Sequence, residues 1–212
     1  MTINVSQTLT PGPINSYDSL QSAIINWLHR SDMVGIVPSL ISMAEQRMDA
    51  ELDSRNMDAV SSIVLTAGDN TASLPSDMMQ MRRAMLMTDP VQVLSYMTPD
   101  QLSAQFPRSS SERPVAFTII GSNIELAPYP DAAYTLKVVY QQRIPRLSSS
   151  NVSNWVLQYY PNVYLFGALV ESAPYLKDDQ RLPMWEQRYQ QAVQNANSID
   201  WYSGSLMRVK TL

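Results

Sequence analysis

Residues 154–199 constrain the fold most, because they read as two consecutive helices with different apolar patterns. The first, from Tyr159 to Leu176, is apolar on almost every side, which is typical of a helix in the middle of a core. The second, from Pro183 to Ile199, is apolar on one stripe of helical period, formed by Trp185, Tyr189, Ala192, Ala196 and Ile199. We therefore expect the first helix to be the central element and the second to cover it.

Two more helices are predicted near the start of the chain. The first begins after Ser16, a residue type that caps helices, and ends near His29, where positive charge meets the negative end of the helix dipole. The second runs from about Pro38 to Leu52, with Pro38 in its first turn. Its predicted buried stripe consists of Val37, Leu40, Ile41, Ala44, Met48 and Leu52.

The middle of the chain changes to a period of two, which indicates strands. Short strands are predicted at 62–66, 71–74, 81–87, 91–94 and 133–142, and a short helix is predicted from Thr98 to about Phe106. The clearest hairpin covers 115–127, where Gly121 and Ser122 form a two-residue loop that suits a type II′ turn.

The order of these elements predicts an α+β fold with segregated parts. We expect a helical core, made of two N-terminal helices and a C-terminal helical hairpin, with a small antiparallel β region inserted between them. The predicted organisation is an N-terminal arm over 1–15, one domain over 16–199 and a C-terminal arm over 200–212. Within the domain, the helices occupy 16–54 and 156–199 and the β region occupies 60–145.

The composition excludes several classes of protein. A chain of 212 residues that is 45% hydrophobic can form a sizeable core. The net charge is −4 and the basic residues are scattered, so a DNA-reading role that needs a basic stripe is not expected. The absence of cysteine excludes disulfides, thiolate nucleophiles and Cys-ligated metals. We expect no membrane span, because no apolar run is long enough, and no signal peptide.

The sequence contains no recognisable catalytic, cofactor-binding or metal-binding motif. Its one histidine, His29, lies at a predicted helix end, where histidine is favourable for electrostatic reasons alone. Glu45, Asp49 and Asp53 follow one another at intervals of four residues, a spacing that could offer oxygen ligands to Ca²⁺ or Mg²⁺. Because such cages usually take ligands from a loop and Arg47 lies nearby, we interpret them as a solvated acidic face. We expect neither an active site nor a cofactor.

Two groups of apolar residues are candidates for contacts with other proteins. The first lies in the C-terminal arm, an extended segment with aromatic anchors, and consists of Trp201, Tyr202, Leu206, Met207 and Val209. Its alternative role is to pack on its own domain. The second consists of Met81, Met85 and Met87, since methionine adapts to imperfectly matched surfaces. Ordinary core filling is the alternative for these three residues.

Four segments together resemble the head-to-tail adaptor, or connector, proteins of tailed bacteriophages. They are 16–48, with a helix ending in Trp-Leu-x-Arg-x-Asp; 74–82, with a Leu-Pro-x-Asp turn; 119–148, with a Gly-x-x-Ile-Glu-Leu-x-Pro hairpin; and 154–193, with a Tyr-Leu-x-Gly-Ala-Leu helix. None of these is a catalytic motif, and their specificity lies in their joint order. The N-terminal arm is not part of the family's pattern.

The resemblance implies a structural virion protein and not an enzyme. Such proteins form a ring, usually of twelve copies, under the capsid's portal protein, and they provide the platform for the tail or nozzle around the DNA channel. The implied partners are further copies of the chain, the portal protein, and a tail, nozzle or stopper protein, with non-specific passage of genomic DNA and no membrane. The implied location is the virion neck, after assembly in the cytoplasm of the bacterial host.

Two alternatives stay open at this point. The chain could be another tail or baseplate component, which would differ in the symmetry of its ring. It could also be a carboxylate-dependent hydrolase, which requires two converging carboxyl groups of perturbed pKa in one deep pocket.

Overall fold

A computed structural model describes residues 12–106, 111–176 and 180–198, which fall into two compact units. The helical unit comprises the described residues of Met1–Arg55 and Ile144–Leu212, and the β unit is Asn56–Arg143. The described α-helices are α1 (Tyr17–Leu28), α2 (Val37–Glu51), α3 (Pro99–Gln105), α4 (Trp155–Tyr159), α5 (Pro161–Glu171) and α6 (Leu182–Ser198). The described strands are β1 (Asp58–Leu65), β2 (Thr71–Ser73), β3 (Met78–Leu86), β4 (Gln92–Val93), β5 (Ser95–Tyr96), β6 (Ser111–Glu112), β7 (Ala116–Ile120), β8 (Asn123–Ala127), β9 (Tyr129–Pro130) and β10 (Tyr134–Gln142).

The predicted fold, a helical core with a small antiparallel β region, is wrong because the β component is large. Among the described residues 42% are helical and 26% are in strands, and the strands form three sheets, so the protein is a mixed α+β protein with a substantial β unit. The sheets are not purely antiparallel either, since β5 pairs with β7 and β6 with β9 in parallel. Several of the strands have only two or three residues, too few to show a period of two in the sequence.

The central position predicted for the first helix of the C-terminal hairpin is confirmed. This helix is α5, which contacts α1, α2, α4 and α6, and every residue from Val163 to Leu169 is buried. It is shorter than predicted at both ends: Pro161 occupies its first turn, and it stops at Glu171, beyond which Ala173–Tyr175 form a separate 3₁₀ turn. On the covering helix α6, the buried residues are Trp185, Tyr189, Val193 and Ala196.

The two N-terminal helices also agree with the sequence pattern. Ser16 caps α1, with its Oγ accepting a hydrogen bond from the Ser19 amide at 3.2 Å. His29 follows α1 in the left-handed conformation, with φ of 55°. All six residues of the predicted stripe on α2 are buried.

Three helices meet at Gly167 of α5. A Cβ atom at this position would lie 3.2 Å from Ala44 Cβ on α2 and 3.2 Å from Tyr189 Cε2 on α6. Both neighbours are fully buried, so they have little room to move. The absence of a side chain at Gly167 therefore allows α2 and α6 to pack closely against α5.

In the β unit, two four-stranded sheets share one apolar core. Their strand orders are β1-β10-β3-β4 and β2-β8-β7-β5. The core contains Leu65, Leu74, Ala84, Leu86, Leu94, Phe117, Ile124, Leu126, Leu136, Val138 and Tyr140, which come from both sheets and their connections. The predicted hairpin is β7–β8, and Gly121 at its turn has φ of +62° while Ser122 has no positive φ, as a type II′ turn requires.

Candidate functional site

One face of the β1-β10-β3-β4 sheet carries apolar side chains that are open to solvent. Burial alternates along β1, and Val60 and Val64 are 58% and 76% exposed. The cross-strand register forms two rows across this sheet, one of Val60, Val139 and Arg83 and the other of Ser62, Lys137, Met85 and Val93. We call this surface the outer sheet face, and it consists of Val60, Ser62, Val64, Arg83, Met85, Val93, Thr135, Lys137 and Val139.

The outer sheet face is locally basic, although the whole chain has a net charge of −4. Among the described residues, neither Arg83 nor Lys137 has a carboxylate partner. Asp58, at the margin of the face, forms an ion pair with Arg82 at 2.6 Å. Exposed apolar side chains next to uncompensated cations match a partner surface that is apolar and acidic.

The three predicted interface methionines do not lie together. Met81 packs against the β-unit core, Met85 lies half-buried on the outer sheet face, and Met87 follows β3 with 47% of its surface exposed. Met81 and Met85 would share a face in a regular strand, but the register of β3 with β10 shifts between them. The sequence gives no signal for this irregularity. The other candidates, Trp201, Tyr202, Leu206, Met207 and Val209, lie outside the described residues.

The predicted solvated acidic face on α2 is wrong. The Glu45 side chain is only 2% exposed, and its Oε1 accepts hydrogen bonds from the Leu147 amide at 2.8 Å and from the Tyr164 hydroxyl at 3.0 Å. Asp49 accepts a hydrogen bond from the Ile144 amide at 3.1 Å and pairs with Arg146. Of the three acidic residues, only Asp53 is exposed.

Burial raises the pKa of Glu45, and its hydrogen bonds with Leu147 and Tyr164 oppose this effect only in part. Burial is also the main cause that raises the pKa of the Tyr164 hydroxyl, with Glu45 adding to it. The hydroxyl in turn accepts a hydrogen bond from Asn154 Nδ2 at 2.6 Å. These contacts join the segment 144–154 to α2 and α5, so the role of Glu45 is to hold the helical unit together.

A second charged cluster joins α2, α5 and α6. The Arg47 guanidinium lies 2.9 Å from Glu51 and 3.9 Å from Glu171, and it also pairs with Glu186. It stacks on the Tyr189 ring, 4.5 Å from the ring centroid. The hydrogen bond from Arg47 lowers the pKa of Glu186. A single cation thus compensates carboxylates from three helices.

The described cavities do not contain the paired carboxyl groups that the hydrolase alternative requires. A cavity of about 250 Å³ in the β unit has Glu125 as its one carboxylate, and this side chain accepts a hydrogen bond from Asn70 at 3.0 Å. A shallower depression in the helical unit is lined by Asn26, Trp27, His29, Arg181, Met184 and Trp185. In the part of the chain that is described, no three metal-binding side chains cluster, and no helix could cross a membrane.

The chain matches a known protein family over most of its length. The family model is described as SU10 adaptor protein and matches residues 15–209, which include every described helix and strand. No curated protein matches the chain. The family match confirms the resemblance that the four sequence segments indicated. The chain therefore belongs to the SU10 adaptor protein family, a family of phage head-to-tail adaptors.

Proposed function

We propose that this chain is a non-enzymatic virion protein that forms a ring at the neck, binds the portal protein and provides the docking platform for the tail or nozzle. The observation that carries the proposal is the family match over residues 15–209. The proposed ring has twelve copies, assembles in the host cytoplasm and surrounds the DNA channel. Each copy contributes an adaptor domain over 16–199 and two arms, over 1–15 and 200–212.

Two physical features support this function. The net charge of −4 suits a conduit through which DNA slides, because like charge weakens binding to phosphates. The outer sheet face offers exposed valines together with Met85, and Met87 follows at the end of β3. We propose this surface, with the half-buried Met81 behind it, as one contact area for the ring or its partners.

We expect the isolated protein to be monomeric or weakly associated, and to form rings only on the portal. An arm that is ordered only by a partner contributes nothing to association beforehand. Light scattering at micromolar concentration measures the isolated state, and electron microscopy with purified portal rings shows the assembled state. Stable dodecamers without the portal would contradict the prediction. A sixfold or threefold ring would favour a different tail or baseplate component.

Deletion of residues 201–212 should leave the melting temperature unchanged and abolish joining to heads. The reason is that Trp201 and Tyr202 are proposed to anchor the arm in the portal or in an adjacent copy, where aromatic residues supply most of the affinity. Calorimetry and a head-joining assay measure the two effects, and a Thr211→Ala variant serves as the matched control. A fall of several degrees in melting temperature would show that the arm packs on its own core.

A further inference from the structure

The outer edge of strand β1 is long and has no partner among the described strands. This strand has eight residues and pairs only with β10 among the described strands. The other outer strands of the two four-stranded sheets are much shorter, with three residues in β2 and two each in β4 and β5. Short edge strands limit unwanted pairing, so β1 is the exception that needs an explanation.

The β1 edge also lacks the features by which proteins usually protect an edge. From Ala59 to Leu65 there is no charged residue, no proline and no glycine. Asp58, at the start of the strand, is neutralised by Arg82. On the side that faces the core, Ala59 and Ile63 pack against the apolar cluster but stay only partly buried. One further strand beside β1 would complete their burial.

The hydrogen-bond pattern of the sheet shows which backbone groups face this edge. The Met87 amide donates to the Thr135 carbonyl at 2.9 Å, so the backbone groups of Thr135 point towards β3. Because these directions alternate along an antiparallel strand, the backbone groups of Leu136 and Val138 point towards β1. Their partners in β1 are Ile63 and Ser61.

The remaining β1 residues therefore present to this edge backbone groups that bond to no residue in the described ranges. The amides and carbonyls of Val60, Ser62 and Val64 point away from β10. Three donors and three acceptors in a row are a template for an added strand.

The N-terminal segment of the chain has the sequence of such a strand. From Thr2 to Thr10 it reads TINVSQTLT, with Ile3, Val5, Gln7 and Leu9 on one side, three of them apolar, and threonine, asparagine and serine on the other. No charged side chain precedes Asp18. Nine extended residues span about 30 Å, which matches the length of an eight-residue edge. The C-terminal arm fits less well, because Gly204, Arg208 and Lys210 interrupt its apolar pattern.

We propose that residues 2–10 of one copy add as a strand to the β1 edge of the next copy in the ring. The inference rests on the proposed ring, in which each copy donates residues 2–10 to one neighbour and binds the same segment of the other neighbour at its own β1 edge. Such a head-to-tail contact generates a closed ring when the rotation that relates one copy to the next divides evenly into a full turn. Pro11-Gly12-Pro13 joins the segment to α1, and prolines favour an extended chain that reaches outward. The apolar side of the segment then covers Ala59 and Ile63.

Replacement of Ser62 by proline tests the edge directly. The ring of proline removes an amide that points to the open edge, while the bonds of β1 with β10 stay intact. We expect Ser62→Pro, and equally deletion of residues 2–10, to abolish closed rings on the portal and to leave the melting temperature of the isolated protein unchanged. The matched control Ser62→Ala keeps the amide and should form rings. A protein that carries both the deletion and Ser62→Pro should lose ring formation to the same extent as either single variant.

Cysteine cross-linking tests whether the strand comes from another copy, because the chain has no cysteine of its own. One protein carries Ser61→Cys, and its partner carries Ile3→Cys, Val5→Cys or Gln7→Cys to sample the register. If the added strand is antiparallel, Ser61 lies at a non-hydrogen-bonded position, where the Cα atoms of opposite residues are about 4.5 Å apart, which suits a disulfide. Mixed rings should give a disulfide-linked pair of chains for one of the three partners. Ser62→Cys, on the opposite face, should give none.

Three results would overturn the inference. If Ser62→Pro and the deletion both form normal rings, the strand is not added, although the proposed ring stands. If both lower the melting temperature of the isolated protein and no mixed cross-link forms, the segment occupies the edge of its own copy. If the unmodified protein forms no ring on the portal, the proposed function fails and the inference fails with it.

Discussion

Replacement of Gly167 by leucine should strongly destabilise the helical unit. A Cβ atom alone would lie 3.2 Å from Ala44 Cβ and 3.2 Å from Tyr189 Cε2, and leucine adds three more carbon atoms. Overpacking of a core typically costs about 1–3 kcal/mol, and we expect at least the upper end because α2, α5 and α6 would all have to separate. Since domains are stable by only about 5–15 kcal/mol, urea unfolding followed by circular dichroism should detect the loss easily.

Two further variants control for this prediction. Gly167→Ala adds only the Cβ, and the gain in helix propensity of about 1 kcal/mol offsets part of the crowding, so its loss should be much smaller. Gly35→Ala introduces the same group where no atom lies within 4 Å, and it should change the free energy of unfolding little. A Gly167→Leu protein that unfolds at the urea concentration of the parent would contradict the close packing of the three helices.

Replacement of Glu45 by alanine should destabilise the helical unit by about 3 kcal/mol, because it leaves two buried donors without an acceptor. These donors are the Leu147 amide and the Tyr164 hydroxyl. Glu45→Gln retains an oxygen in the same place and should cost much less. Comparison of the two variants by urea unfolding separates the lost hydrogen bonds from the lost charge. Equal losses of unfolding free energy in the two variants would show that the acceptor oxygen of Glu45 does not contribute to stability.

The same pair of proteins gives a pH dependence of defined sign. Burial raises the pKa of Glu45 in the folded state, so folding favours its protonated form. Its contribution to stability is therefore fully present below the unfolded pKa of about 4.3 and is lost as the pH rises through the folded value. The free energy of unfolding of the parent minus that of Glu45→Gln should fall over this range. A difference that rises with pH would contradict the raised pKa. The subtraction cancels the pH dependence that comes from groups present in both proteins, such as Glu186, whose pKa is lowered.

The local apolar pattern predicted the four long helices well, because each of these helices extends over about three turns or more. The buried stripe of α2 and the central helix α5 were both visible in the sequence. The size of the β component was not visible in the sequence, because strands of two or three residues are defined by pairing with distant residues. A β unit with its own core therefore looked like a small insertion.

The residues that sequence reasoning misplaced depend on contacts far along the chain. Glu45 looks like a surface residue, but the groups that satisfy its carboxylate, Leu147 and Tyr164, are 102 and 119 residues away. Met81 and Met85 look equivalent, but a register shift in β3 sends them to opposite sides of the sheet. In contrast, the family was identifiable from the sequence, because it depends on the order of whole segments.

The division of the chain into two units has a consequence for synthesis on the ribosome. The β unit, Asn56–Arg143, is contiguous, so all of its strands have been made before the helical unit is complete. In the helical unit, α1 and α2 are made first, but α5 is made only after the whole β unit. Until then, Glu45 lacks the Leu147 amide that donates a hydrogen bond to it, and both Glu45 and Asp49 lack their cationic neighbour Arg146. A nascent chain therefore carries a complete β unit together with two helices, α1 and α2. Their apolar faces have no α5 to pack against until the last third of the protein has been synthesised.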